Sequence, residues 1–205
     1  LLADLFKQAG ADRLMAVDLH TAQIQGFFDG PVDHLVALPL LAGHIKDTVD
    51  TSRITVVSPD AGRVRVAEKW TDVLGAPLAI IHKRRDPDVP NQVKMFEVVG
   101  EVDGRICVIV DDMIDTGGTI ATAAQTLFDA GAADVIVAAT HGIFSDPAKQ
   151  RLSESKISKV LVTDTLPIAD DRRFDKLEVL SIAPLIATAI NEVFTEGSVA
   201  SLFDK

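Results

Sequence analysis

Three acids and two threonines surround a pair of glycines in Asp111-Asp112-Met-Ile-Asp115-Thr116-Gly117-Gly118-Thr119. These residue types at this spacing suit a sugar phosphate. Gly117 and Gly118 let the backbone wrap closely around a phosphate, and the hydroxyls of Thr116 and Thr119 add donors. An Ala-rich helix is expected next, Ile120 to Ala130. Its first-turn N–H groups lack internal partners, and its dipole favours an anion there. Carboxylates repel phosphate, so Asp111, Asp112 and Asp115 are suited instead to accepting hydrogen bonds from sugar hydroxyls or to helping hold a hydrated Mg²⁺. A ribose phosphate, charged at one end and carrying vicinal hydroxyls at the other, meets both halves. A plain N-capped helix after an acidic turn would explain a lone acid-Thr-Gly-Gly, but not the two acids that precede it on a buried run.

Three further places carry chemistry. His20 follows Asp18 by two residues, and Asp60 follows Val56-Val57-Ser58-Pro59. An imidazole and a carboxylate can together bind a divalent cation, although Mg²⁺ prefers oxygen; a capping or core role is the alternative for each. Lys83-Arg84-Arg85 closes another apolar run, on a proline-containing loop able to close over a ligand. Cations there would offset charge on the oxygens of a transferring phosphoryl group, which points to a second, more highly phosphorylated substrate.

These residues need strands to hold them. Arg13 to Val17, Val32 to Leu38, Ile54 to Val57, Pro77 to Ile81, Val98 to Val102, Arg105 to Val110, Asp134 to Ala139, Val160 to Val162 and Glu178 to Ile182 read as strands. Helical patterns separate most of them, among them Leu1 to Ala9, a helix opened by Pro39, one running through Trp70 and Leu74, and Pro184 to Phe194. Asp103-Gly104 reads as a hairpin turn, and Asp86 to Gln92 as a loop. The alternation predicts an open α/β sheet with ligands at the carboxyl ends of its strands.

Composition narrows the function. The chain has 205 residues, 47 % hydrophobic, with a net charge of −10, enough for an ordinary core and a poor match to a general nucleic-acid binder. Its one cysteine, Cys107, falls inside the predicted central strand and reads as core rather than nucleophile. No signal peptide or membrane-spanning run is evident, so a cytoplasmic protein is expected.

The stretch Cys107 to Ile120, with apolar residues, two acids and a short loop ending Thr-Gly-Gly-Thr, resembles the phosphoribosyl-diphosphate motif of the type I phosphoribosyltransferase fold. Asp18-Leu-His20 through Asp29, Val57-Ser-Pro-Asp60 and Lys83-Arg-Arg85 extend the likeness to the class I ribose-phosphate pyrophosphokinase family over essentially the whole chain. The resemblance implies transfer of the diphosphoryl group of Mg-ATP to ribose 5-phosphate by a homohexamer. It implies Mg²⁺ at His20 and Asp60, and a catalytic Lys83 with Arg85 beside it. Asp111, Asp112, Asp115, Thr116, Gly117, Gly118 and Thr119, with Arg85, would hold ribose 5-phosphate. It also implies regulation by phosphate and ADP, with Ser198 to Phe203 contributing.

Family members carry about one more half-domain before the position of Leu1, so three parts are expected. Residues 1–38 would end an N-terminal phosphoribosyltransferase-like domain, 39–190 would form the C-terminal one, and 191–205 would be a tail packing back. The loop Asp86-Pro-Asp-Val-Pro-Asn91 lacks a further basic residue found in many members. A nucleobase phosphoribosyltransferase, or a non-catalytic regulatory homologue of the synthetase, is the alternative function.

Overall fold

Cys107 to Val110 are apolar on both faces, and such a strand needs neighbours on either side and helices above and below. The computed structural model supplies both; it describes residues 1–85 and 93–202, without the side chains of 83–85 and 93–96. In chain order the elements are α1 (Leu2–Gln8), β1 (Leu14–Val17), β2 (Val32–Leu35), α2 (Leu38–Thr48), β3 (Ile54–Ser58), α3 (Val64–Leu74), β4 (Leu78–Arg85) and β5 (Val93–Val99). There follow β6 (Ile106–Ile114), α4 (Gly118–Asp129), β7 (Asp134–Gly142), α5 (Ala148–Glu154), β8 (Lys159–Thr163), β9 (Leu177–Leu180) and α6 (Ala183–Phe194).

By contact the chain divides into two compact units, one made of Leu1–Ala37 with Ser181–Lys205 and the other of Leu38–Leu180. The larger unit holds a sheet ordered β5-β4-β3-β6-β7-β8-β9. Every neighbouring pair is parallel except β4 with β5. This is the open, mostly parallel α/β sheet with flanking helices that the sequence predicts. On one face Val57, Cys107, Ile109, Val135 and Val137 share a core with Ile120, Ala123 and Leu127 of α4 and Leu152 of α5. Cys107 is fully buried, and burial pushes its thiol up to about 12, so it is core, not nucleophile.

Three local expectations are corrected. The Asp103-Gly104 turn is present, with Gly104 at φ 67°, but it does not close a hairpin. β5 pairs with β4 instead, and β6 pairs with β3 and β7. A strand buried on both faces takes the centre of the sheet, which leaves β5 an edge. Secondly, Lys83 to Arg85 continue β4 rather than lying on a loop, because β5 carries the ladder on through Lys83↔Phe96 and Arg84↔Met95. Thirdly, β6 does not stop at Val110. β7 is equally long and pairs with it out to Ile114↔Gly142, so Asp111 and Asp112 lie within the strand. The loop expected over Asp86 to Gln92 lies outside the described residues.

The smaller unit has a two-stranded parallel sheet, β1 with β2. Leu35, Ala189 and Val199 form its core, with Met15, Val17, Leu185 and Ile186 packed around them. α6 therefore groups with Leu1–Ala37, and the division expected at residue 190 runs through that helix. α1 buries none of its residues. No helix among the described residues is long and apolar enough to cross a membrane.

Candidate functional site

The chain runs β3 to β4 to β5 toward one edge of the sheet, then returns to place β6 on the other side of β3. The carboxyl ends of β3 and β6 thus flank the point where strand order reverses, which is where open α/β sheets bind ligands. Asp60 follows the first of these ends, and Asp111 and Asp112 occupy the second.

Asp111 is 18 % and Asp112 8 % exposed, and one guanidinium bridges them. Arg63 Nε lies 3.1 Å from Asp111 Oδ1, and its Nη2 lies 2.6 Å from Asp112 Oδ1. The Asp112 backbone N–H also donates to Asp111 Oδ1 at 2.9 Å. Burial, followed by the hydrogen bond with Asp112, pushes the Asp111 carboxyl up to about 7, while Arg63 pulls it back down.

The turn that carries Arg63 is itself fixed. Asp60 caps it, accepting the Gly62 N–H at 2.9 Å through its side chain and the Arg63 N–H at 3.3 Å through its carbonyl. Ser58 Oγ donates to the same carbonyl at 2.7 Å. An Asp at this position is the ordinary way to satisfy a helical turn's orphan donors.

Beyond β6 the chain turns sharply. Asp115, Thr116 and Thr119 are exposed, while Gly117 is buried at φ 69°, a left-handed conformation open to glycine at little cost. A Cβ at Gly117 would also lie 3.3 Å from Leu152 Cγ on α5. The first helical bond of α4 runs from Ala121 N–H to Gly117 O at 2.9 Å, and the N–H groups of a helix's first turn have no partner within the helix. The same helix α5 brings Arg151, whose Nη1 donates to Thr116 O at 3.1 Å. An exposed cation therefore stands over the turn.

Of the residues picked from sequence, the fold places Asp111 and Asp112 together inside β6 and sets Asp115 to Thr119 directly after them. Asp60 stands on the neighbouring turn. Lys83 and Arg85 lie at the carboxyl end of β4, and their side chains lie outside the described residues. His20 belongs to the smaller unit, where it is exposed just after β1. Asp18, at φ 42°, holds that corner by accepting the Ala37 N–H at 2.9 Å. Among the described residues no three His, Cys, Asp or Glu side chains are grouped to hold a metal ion. Mg²⁺ commonly takes one or two carboxylates together with substrate phosphates; Asp60 offers one carboxylate, an oxygen of which accepts the Gly62 N–H. Arg63 and Arg151 escaped the sequence reading. Arg63 had one weak local signal, its place three residues after Asp60; Arg151 had none.

Residues 87–204 match the phosphoribosyl synthetase-associated domain family. The whole chain is 68 % identical to the ribose-phosphate pyrophosphokinase of Streptomyces coelicolor and 62 % identical to that of Mycobacterium tuberculosis, covering 63 % of each. The crystal structure of phosphoribosylpyrophosphate synthetase from Mycobacterium smegmatis superposes with a TM-score of 0.87 at 58 % identity, over 96 % of this chain and 63 % of that one. The chain thus spans a little under two thirds of the length of these relatives.

Proposed function

From the premise that this chain belongs to the phosphoribosyl synthetase-associated domain family, we propose that the full-length protein transfers the diphosphoryl group of Mg-ATP to ribose 5-phosphate. The C1 hydroxyl oxygen bonds to the β-phosphorus, the bond from that phosphorus to the α-phosphate oxygen breaks, AMP leaves, and the hydroxyl proton is released. The product is 5-phosphoribosyl 1-diphosphate. The observation that carries this reading is a single stretch, Asp111 to Thr119, that joins two little-exposed acids in β6 to the glycine turn and start of α4 at the sheet's switch point.

In this reading Asp111 and Asp112 accept the ribose hydroxyls. Asp115, Thr116, Gly117, Gly118 and Thr119 hold the 5-phosphate. Lys83 is the catalytic cation at the end of β4, with Arg85 beside it and also toward the sugar phosphate. His20 and Asp60 each contact Mg²⁺, which when bound neutralises charge on the donor phosphates. Residues 1–38 complete a preceding related domain, which the 63 % coverage of the relatives supports, and the protein works as a cytoplasmic homohexamer.

The deciding experiment incubates the full-length protein with ATP, Mg²⁺ and ribose 5-phosphate and identifies the nucleotide released. AMP formed in step with sugar consumption is expected, and a Lys83→Ala protein should lose roughly 10²–10³ in rate while still binding ribose 5-phosphate. Release of ADP would mean an ordinary kinase and end the proposal. Diphosphate release that requires a nucleobase would mean a phosphoribosyltransferase instead.

A further inference from the structure

Successive residues of a strand point to opposite faces, so Asp111 and Asp112 should diverge. One guanidinium nevertheless reaches both, at 3.1 and 2.6 Å, and is itself only 18 % exposed. An arginine fork usually spends both its bonds on one carboxylate. Here it spans two, reaching the Oδ1 atom of each. Arg63 is held in turn by the capped turn after β3, through Asp60 and Ser58.

We infer that Arg63 is a positioning residue for the sugar substrate: by bridging Asp111 and Asp112 it fixes the direction in which the two carboxylates accept vicinal hydroxyls. This rests on the ribose 5-phosphate reading and adds to it a residue from outside the sugar-phosphate stretch. It also links the two strand ends that flank the switch point, since the arginine leaves the β3 turn and its partners belong to β6.

A purely structural role makes a different forecast. A buried ion pair is weak evidence for stability, because apolar replacement of such groups is often neutral or stabilising, whereas loss of one partner is not. The role shows instead in which ligand is lost. Without Arg63 nothing holds the two acids at a fixed angle, so hydroxyl recognition suffers while the phosphate turn, built from backbone after residue 115, stays intact.

The test uses the full-length protein with Arg63→Met and Arg63→Lys. Calorimetric titration measures ribose 5-phosphate against inorganic phosphate, and steady-state kinetics measures KM for each substrate. Arg63→Met should weaken ribose 5-phosphate binding roughly ten- to a hundredfold, the value of charge-assisted hydrogen bonds. Inorganic phosphate binding and the KM for ATP should change less than about twofold, since neither depends on hydrogen bonds to the acid pair. Lysine should recover only part, because a point charge cannot span two carboxylates. If the methionine protein does not fold, the lysine protein must show the same split in smaller measure. Equal losses for sugar phosphate and free phosphate, or unchanged or tighter sugar binding, would overturn the inference. Absence of AMP from the parent, with the split still present, would sink the diphosphoryl-transfer reading and leave the role of Arg63 standing.

Discussion

Asp111 and Asp112 lie inside a paired strand, little exposed and bridged by Arg63, whereas four to seven residues later Thr116 and Thr119 stand exposed on a turn shaped by Gly117. In the proposed reading these are the two ends of one ligand site, built by opposite means. A hydroxyl is neutral and directional, so recognising it takes acceptors held at fixed angles and shielded from competing water. A phosphate is a doubly charged acceptor that any convergent set of N–H groups will satisfy. Hence the proposed sugar end draws on the sheet and a salt bridge 49 residues apart in sequence, while the proposed phosphate end needs only a turn, a helix start and an exposed arginine.

Removing one acid should separate the two ends most sharply. Asp112→Ala takes a carboxylate from a largely buried pair and removes one of the two acids that Arg63 bridges. It should destabilise the protein by about 2 kcal/mol in urea, below the full value for a buried pair because Arg63 keeps its bond to Asp111. Ribose 5-phosphate binding should be lost while inorganic phosphate still binds; retained sugar binding would mean that the acids do not read the hydroxyls.

A smaller effect should appear in the pH dependence of stability. The fold raises the Asp111 pKa from its ordinary 3.8 to about 7, so the folded state favours the protonated carboxyl. That contribution is fully present below about pH 3.8 and is lost as pH rises through about 7. Asp111→Asn cannot ionise and keeps it. The melting temperature of the variant relative to the parent should therefore climb between pH 5 and 8, on the order of 4 °C. A constant gap across that range would refute the account.

The weakest effect belongs to the phosphate end. Arg151→Ala should leave the urea midpoint unchanged, as expected for an exposed side chain. Binding of inorganic phosphate and ribose 5-phosphate should fall together by roughly fivefold at low salt, and by less as salt screens the charge. A loss confined to ribose 5-phosphate would erase the distinction between the two ends.

The proposed phosphate end was legible as a strand, a glycine turn and a helix because its chemistry is local: Asp115 to Thr119 are contiguous, and that order suits an anion. The sheet class was legible too, from apolar runs such as Cys107 to Val110 alternating with helical patterns. What stayed hidden depends on distance. Asp103-Gly104 is good local hairpin chemistry, yet the pairing of β6 was decided by burial of both its faces. The extension of β6 through the acids depends on β7, and that of β4 through Arg85 on β5. Arg63 and Arg151 meet the site 49 and 35 residues from their partners, a separation that no spacing rule covers.

The continuation of β6 to Ile114 has a further consequence. Fixing the backbone of one residue removes conformational entropy equivalent to about 1–2 kcal/mol. A flexible loop bearing the same two acids would surrender that freedom each time a sugar arrived, and the affinity would drop accordingly. Pairing of Asp111, Met113 and Ile114 with β7 means that the loss is incurred once, when the sheet folds. A ligand as small as a pentose, with few atoms to contribute binding energy, can then be held by two carboxylates whose ordering it does not have to bring about.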